Sequence, residues 1–155
     1  MKKSTYDDEQ KDASHSVLLD HNLFIVWKPE HNLGIPIIDE QHRGIVTIIN
    51  SLNFGMQHHY IEDMLAPLVD MMYDYTRIHF RVEETLFEQI DFPHEEEHKK
   101  LHSALASKLG SIGNRSILSK DAHEFMDFLK EWWINHICAE DLIFRDYMNE
   151  KNETR

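Results

Sequence analysis

Cysteine is almost missing from this chain. Cys138 is the single one among 155 residues, so no internal disulfide can form, and a metal site built on several thiolates is excluded. Long apolar runs are missing too. Nothing approaches the 18 or so consecutive apolar residues of a membrane span, and the opening MKKSTYDDEQKDASHS has two lysines with no apolar stretch behind them. No membrane span or signal peptide is therefore expected, and with one lone thiol the chain reads as cytoplasmic. Positive charge is scarce: 16 Lys and Arg stand against 28 acids, a formal net charge of -12. Such a surface repels phosphate backbones and anionic lipid, so neither nucleic acid nor membrane is an expected partner. Segments alternating at strand period are also wanting.

What the chain has is a core and histidine. With 41% hydrophobic residues it can bury one continuous domain, expected to fold alone as a monomer. Residues 1–22 are polar and read as a flexible arm; 23–150 read as the folded domain. From Leu23 to Ile38 a Trp, two prolines and a glycine suggest an extended, packed arm. Asp39 looks like the N-cap of a first helix, marked by Ile45, Ile48, Ile49, Leu52 and Met56 and ending near residue 57. After HHYIE, a second helix carries Met64, Leu65, Leu68, Met71, Met72, Tyr75, Ile78, Val82, Leu86 and Phe87 to about Ile90. Pro93 opens a third, to about Ser111, and GNRS reads as a loop. A fourth starts at Ser119 or Asp121 and runs to about Asn149, with Phe125, Phe128, Leu129, Trp132, Ile137 and Leu142 on its buried side. The fold class is thus all-α, an antiparallel up-down-up-down four-helix bundle with an N-terminal extended arm.

The twelve histidines decide the chemistry. Each helix carries a polar motif among apolar residues: D39-E-Q-H42, H79-F-R-V-E83, H98-K-K-L-H102 and H136-I-C-A-E140-D141. Residues i and i+4 share a helix face about 6 Å apart along the axis, and antiparallel packing brings all four motifs to one end of the bundle. One such pair is an ordinary surface feature. Four at one level, buried, would leave donors and acceptors unpaired unless a metal held them. Imidazole and carboxylate without thiolate suit a cation such as iron, and seven ligands exceed one tetrahedral site, so two metals fit better. On helical spacing alone Glu140, at i+4, is the acidic partner of His136, since Asp141 at i+5 falls about 140° round a regular helix.

These residues resemble the hemerythrin family of non-haem di-iron oxygen-binding proteins. The likeness spans about residues 24 to 148: W27…G34-I35-x-x-I38-D39-E40-Q41-H42, then H79-F80-x-x-E83-E84, F92-P93-x-x-x-x-H98-x-x-x-H102 and W132-x-x-x-H136-I137-x-x-x-D141. The resemblance implies two Fe ions (Fe2+/Fe3+) bridged by oxo or hydroxo. His98, His102 and His136 would hold one iron and His42 and His79 the other, with Glu83 and Asp141 bridging. It therefore picks Asp141 over Glu140. A π-bulge between His136 and Asp141 would reconcile the two, and an unbroken i to i+4 ladder through 134–142 would rule it out. The implied function is reversible O2 binding for transport, storage or sensing, with Ile78, Trp133 and Ile137 beside the oxygen. One departure stands out: the family usually shows Trp-Leu before the last histidine, and here it is Trp132-Trp133. Trp133 either narrows the oxygen pocket or turns outward.

The rival reading is a di-iron redox enzyme, an oxidase, peroxidase or NO-consuming protein. Ferritin-like di-iron enzymes use mostly carboxylates and two E-x-x-H motifs, whereas only Glu95 to His98 has that spacing here. A sensor would need a separate, unidentified protein partner, with the polar arm as its contact. His94, one turn before His98, reads as a solvent-facing residue. So do His15, His21, His31, His58, His59 and His123. Cys138 and the Met71/Met72 pair read as core filling, and Trp27 as an anchor for the arm.

Overall fold

The computed structural model describes residues 23–153; the polar arm expected over 1–22 lies outside them. Residues 23–35 run as an irregular arm with one 3-10 turn, Pro29–His31. The helices are α1, Pro36–Gln57; α2, Ile61–Ile90; α3, Glu95–Ser119; and a fourth rod of three parts. That rod begins as α4, His123–Trp132, widens to a π-helix over Trp133–Glu140, and ends as α5, Asp141–Glu153. Each helix packs antiparallel on the one before it, so the four-helix bundle is as expected, and no strand occurs among the described residues.

The arm is fastened by polar side chains of α1. Asn50 clamps Ile25, accepting from its N–H and donating to its C=O at 2.8 Å each. Asp39 is not the helix N-cap: α1 starts three residues earlier, at Pro36. Proline suits a first helical position because the N–H it lacks has no intrahelical partner there. The Asp39 carboxylate instead accepts from the N–H of Leu33 at 2.6 Å and of Gly34 at 3.1 Å, holding the turn into the helix. Gly34 has φ +79°, so glycine serves that turn.

Two other expectations fail. GNRS is no loop, since α3 continues through it to Ser119 and stops only at Lys120, in the left-handed region at φ 55°. Gly113 is there for helix packing: a Cβ on it would come within 2.5 Å of Val69 Cγ1 on α2. The buried face of α2 is also turned from the one its apolar residues suggested. It runs through Leu65, Leu68, Val69, Met72, Thr76, His79, Phe80, Glu83 and Phe87. Met71 and Ile78 point outward, 54% and 61% exposed. The inward positions one turn apart are partly polar, so following hydrophobicity alone rotates the helix.

The main core of Ile45, Ile49, Leu52, Met72, Leu109, Phe125 and Leu129 fills the body of the bundle, and Phe87, Phe92 and Phe144 close one end. The buried polar residues lie between these two apolar bodies. Gly113→Ala tests the helix contact. Alanine favours a helix by about 1 kcal/mol over glycine, but β-branched Val69 is stiff, and overpacking typically costs about 1 to 3 kcal/mol. A net lower unfolding midpoint in denaturant is expected.

Candidate metal centre

All four helical rods deliver ligand-type side chains to the layer between the two cores. His42 comes from α1, His79 and Glu83 from α2, His98 and His102 from α3, His136 from the π-helix and Asp141 from the start of α5. Each is at most 5% exposed. They form two groups, Glu83 with His98, His102 and His136, and His42 with His79, Glu83 and Asp141, each with candidate ligand atoms within 4.8 Å of one another. Glu83 belongs to both.

Each carboxylate faces histidines of both groups. Asp141 Oδ1 faces His98 Nε2 at 3.3 Å and His136 Nε2 at 3.5 Å, while its Oδ2 faces His42 Nε2 at 3.3 Å. Glu83 Oε2 lies 3.2 Å from His102 Nε2, and its Oε1 is 3.7 Å from His79 Nε2. Taken together, Asp141 Oδ1 and Glu83 Oε2 face three imidazoles, those of His98, His136 and His102, while the other two oxygens face His42 and His79.

The π-helix makes Asp141 available. Its backbone N–H reaches the C=O of His136, five residues back, so the i to i+4 ladder is broken where the bulge was expected. The wider turn brings i+5 round toward the face of i. Glu140, the choice of regular spacing, is exposed instead.

Whether these residues fit a metal can be judged from their unmet valences. All five Nε2 atoms and all four carboxylate oxygens are buried without a hydrogen bond; their mutual approaches lack hydrogen-bond geometry. An unsatisfied buried polar group costs about 1 to 3 kcal/mol, so nine would consume the entire stability of a typical domain, about 5 to 15 kcal/mol. Cations between them remove that cost. The residues fit a pair of metal ions.

The imidazoles are prepared as ligands. His79 Nδ1 donates to Gln41 Oε1 at 3.1 Å and His102 Nδ1 to Glu84 Oε1 at 3.0 Å, which leaves each Nε2 lone pair facing inward. Neither Gln41 nor Glu84 had been singled out from the sequence. Both sit beside a ligand in the quoted motifs, but each supports a histidine of a different helix, and spacing along one helix does not show that. Phe80 stacks on His102 at 3.8 Å and 6°, and Phe87 meets His98 edge-on at 4.9 Å, forming dry walls.

Electrostatics agree with that preparation. Burial, then the neighbouring His42, holds His79 well below its usual value. Burial with His136 and His98 lowers His102 to about 2, and burial lowers His136 to about 4. Desolvation, then Asp141, raises Glu83 well above the carboxylate range. For Asp141 burial pushes upward, but His136, His42 and His98 together outweigh it and hold the carboxyl low.

The remaining site expectations divide. Ile137 is buried in the core beside His136. Ile78 does not line the interior; one residue before inward His79, it is rotated about 100° toward solvent. Trp133 does not turn outward: it is 8% exposed and meets Trp27 and His31 edge-on, with ring centroids at 6.1 and 5.2 Å. His31 is therefore more than a surface residue, since it joins arm to fourth rod and accepts the Lys28 N–H at 3.1 Å. Trp27 anchors the arm as expected, under the Arg43 guanidinium at 4.5 Å. Cys138 is half-buried against the core, and His94 is an exposed residue at the head of α3.

A four-helix bundle with paired histidine/carboxylate clusters sharing one acid is the layout of a binuclear metal protein. Residues 33–147 match the Hemerythrin HHE cation binding domain, and the chain belongs to the hemerythrin family. It is similar to the bacteriohemerythrin of Pseudomonas aeruginosa, 34% identical over 126 residues, covering 79% of this chain and 80% of that protein. The bacteriohemerythrin of Stenotrophomonas maltophilia is 31% identical over 123 residues, again 79% and 80%. That of Clostridium acetobutylicum is 28% identical over 130 residues, 80% of this chain and 98% of the relative. No described helix is long and apolar enough to cross a membrane.

Glu83→Ala removes the acid common to both clusters and should reduce bound metal below two ions per chain, as read by elemental analysis of the purified protein. Glu84→Ala frees the His102 ring and should weaken metal affinity about 10- to 100-fold in chelator competition. In the metal-free chain, acid should destabilise the fold. Below pH 6.5 the unfolded chain protonates His79, His102 and His136 while the fold keeps them neutral. Glu83 acts in the opposite sense above pH 4.5, because the fold retains a proton that the unfolded chain loses, and Asp141 adds to the acid effect only below 3.8. Three groups against one predict a thermal midpoint that falls as pH drops from 6.5 to 4.5; a midpoint that rises over that window would contradict the assignment.

Proposed function

We propose that the chain holds two iron ions and binds O2 reversibly. The observation that carries this is the three-to-two division of imidazoles about two carboxylates that each face histidines of both groups. His98, His102 and His136 with Glu83 and Asp141 would supply five protein donors to one ion, and His42 and His79 with the same acids would supply four to the other. The second ion would thus have one protein donor fewer than the first, leaving it the place at which a small molecule would bind. Iron held by these residues would supply the reversible redox chemistry that O2 binding requires.

The chain's own residues favour binding over turnover. Histidine-rich ligation makes the metals less electron-rich than the carboxylate-rich sites of ferritin-like di-iron enzymes. Phe80, Phe87 and Ile137, all at most 5% exposed, keep water from the layer, and a dry site restrains loss of charge-separated products. Gln41 and Glu84 hold two of the imidazoles in place. The similarity to proteins named bacteriohemerythrin supports the same reading.

The test is visible absorption of anaerobically reduced, iron-quantified protein during addition of O2 and then its removal under argon. A charge-transfer band that comes and goes with O2, at two irons per chain, is the expected result. Immediate and irreversible passage to the ferric form would replace this reading with a di-iron redox enzyme.

A further inference from the structure

Three surface cavities each have in their walls one of the three histidines that group with Glu83, namely His136, His102 or His98. Their charges differ. The opening of about 780 Å3 between α2 and α3, walled by His102, carries Arg77 and Arg81 against Asp74 and Glu84. The one of about 180 Å3 at His136 carries Lys108 with Glu131 and Glu140. The third, about 160 Å3, is walled by Phe92, His94, Glu97, His98, Leu101, Glu140 and Ile143. No lysine or arginine lines it among the described residues.

We infer that this third cavity is the port through which divalent metal ions reach the site, with Glu97, Glu140 and His94 as transient ligands at its mouth and His98 as the receiving group. The inference rests on the two-metal reading above. His98 is 5% exposed, and its Nε2 lies unpartnered in the ligand cluster, so the same ring belongs to the cavity wall and to the destination. Carboxylate and imidazole are the donor types that a first-row divalent cation accepts. A cleft of one sign concentrates the ion of the other, whereas in the neighbouring openings Arg77 and Arg81, or Lys108, offset the acids beside them. Glu140 is the acid that the π-helix turns out of the site when it turns Asp141 in. The same backbone feature thus places one acid in the site and the other at its approach.

Port residues set the rate of loading and leave its extent unchanged. The experiment follows Co2+ uptake by metal-depleted full-length protein in a stopped-flow spectrometer, with final stoichiometry measured separately. Glu97→Gln/Glu140→Gln should slow uptake about tenfold, within the range by which charged clefts raise on-rates, and still reach the wild-type stoichiometry. Asp63→Asn/Asp70→Asn, equal in charge change but on the first half of α2, should load at the wild-type rate. If depletion abolishes the helical circular dichroism, the same variants are compared by exchange of bound Co2+ for a radioactive cobalt tracer in the loaded protein, since ions leave by the route they use to arrive. Loading of the first variant at the wild-type rate, or equal slowing in the second, overturns the port. Failure of the wild type to take up two ions would instead overturn the two-metal reading.

Discussion

Nine buried ligand atoms without hydrogen-bond partners, drawn from four helical rods, set the terms for the rest of this molecule. Left alone, they cost an amount comparable with the whole stability of such a domain; cations between them would neutralise them and cross-link all four rods. The apolar cores on either side exclude water, which would otherwise satisfy the same atoms and loosen the layer. Folding and metal binding are therefore linked, and the dryness that makes the ligands costly also strengthens their hold on a cation.

The arm and the helix ends serve the same layer from outside. Asp39, three residues before His42, fixes the turn into α1 and with it the depth at which that histidine enters. The Asn50 clamp and the Trp27, His31 and Trp133 rings lay the arm along α1 and against the fourth rod. At the opposite edge Phe92 and Phe144 close the site beside His98.

Much of this was legible in the sequence because metal ligands impose a period. Apolar residues at helical spacing yielded the bundle, and histidine or acid pairs three or four apart in four segments yielded the level at which the motifs meet and the two-metal argument. What escaped has physical causes. Gly113 looked like a loop residue because glycine disfavours helix, yet close contact with Val69 needs the missing Cβ more than the helix needs propensity. Ile78 looked inward because it is apolar, but the neighbouring position is claimed by His79. Gln41 and Glu84 act across helices and leave no mark in the spacing of any one of them. Asp141 over Glu140 was settled by family resemblance, since regular helical geometry favoured the other acid.

The widened turn at Trp133–Glu140 also acts as a phase correction. In an unbroken α-helix Asp141 would lie about 180° round from Trp132, so the inward stripe that starts with Phe125 could not continue through Asp141 to Phe144. One wide turn realigns two segments whose faces are out of step, without interrupting the rod by a loop. The fourth helix is in effect two helices of different phase spliced at the metal. Deleting a single residue within the splice would restore a regular helix and rotate everything after it, so this stretch should tolerate substitution far better than a change of length.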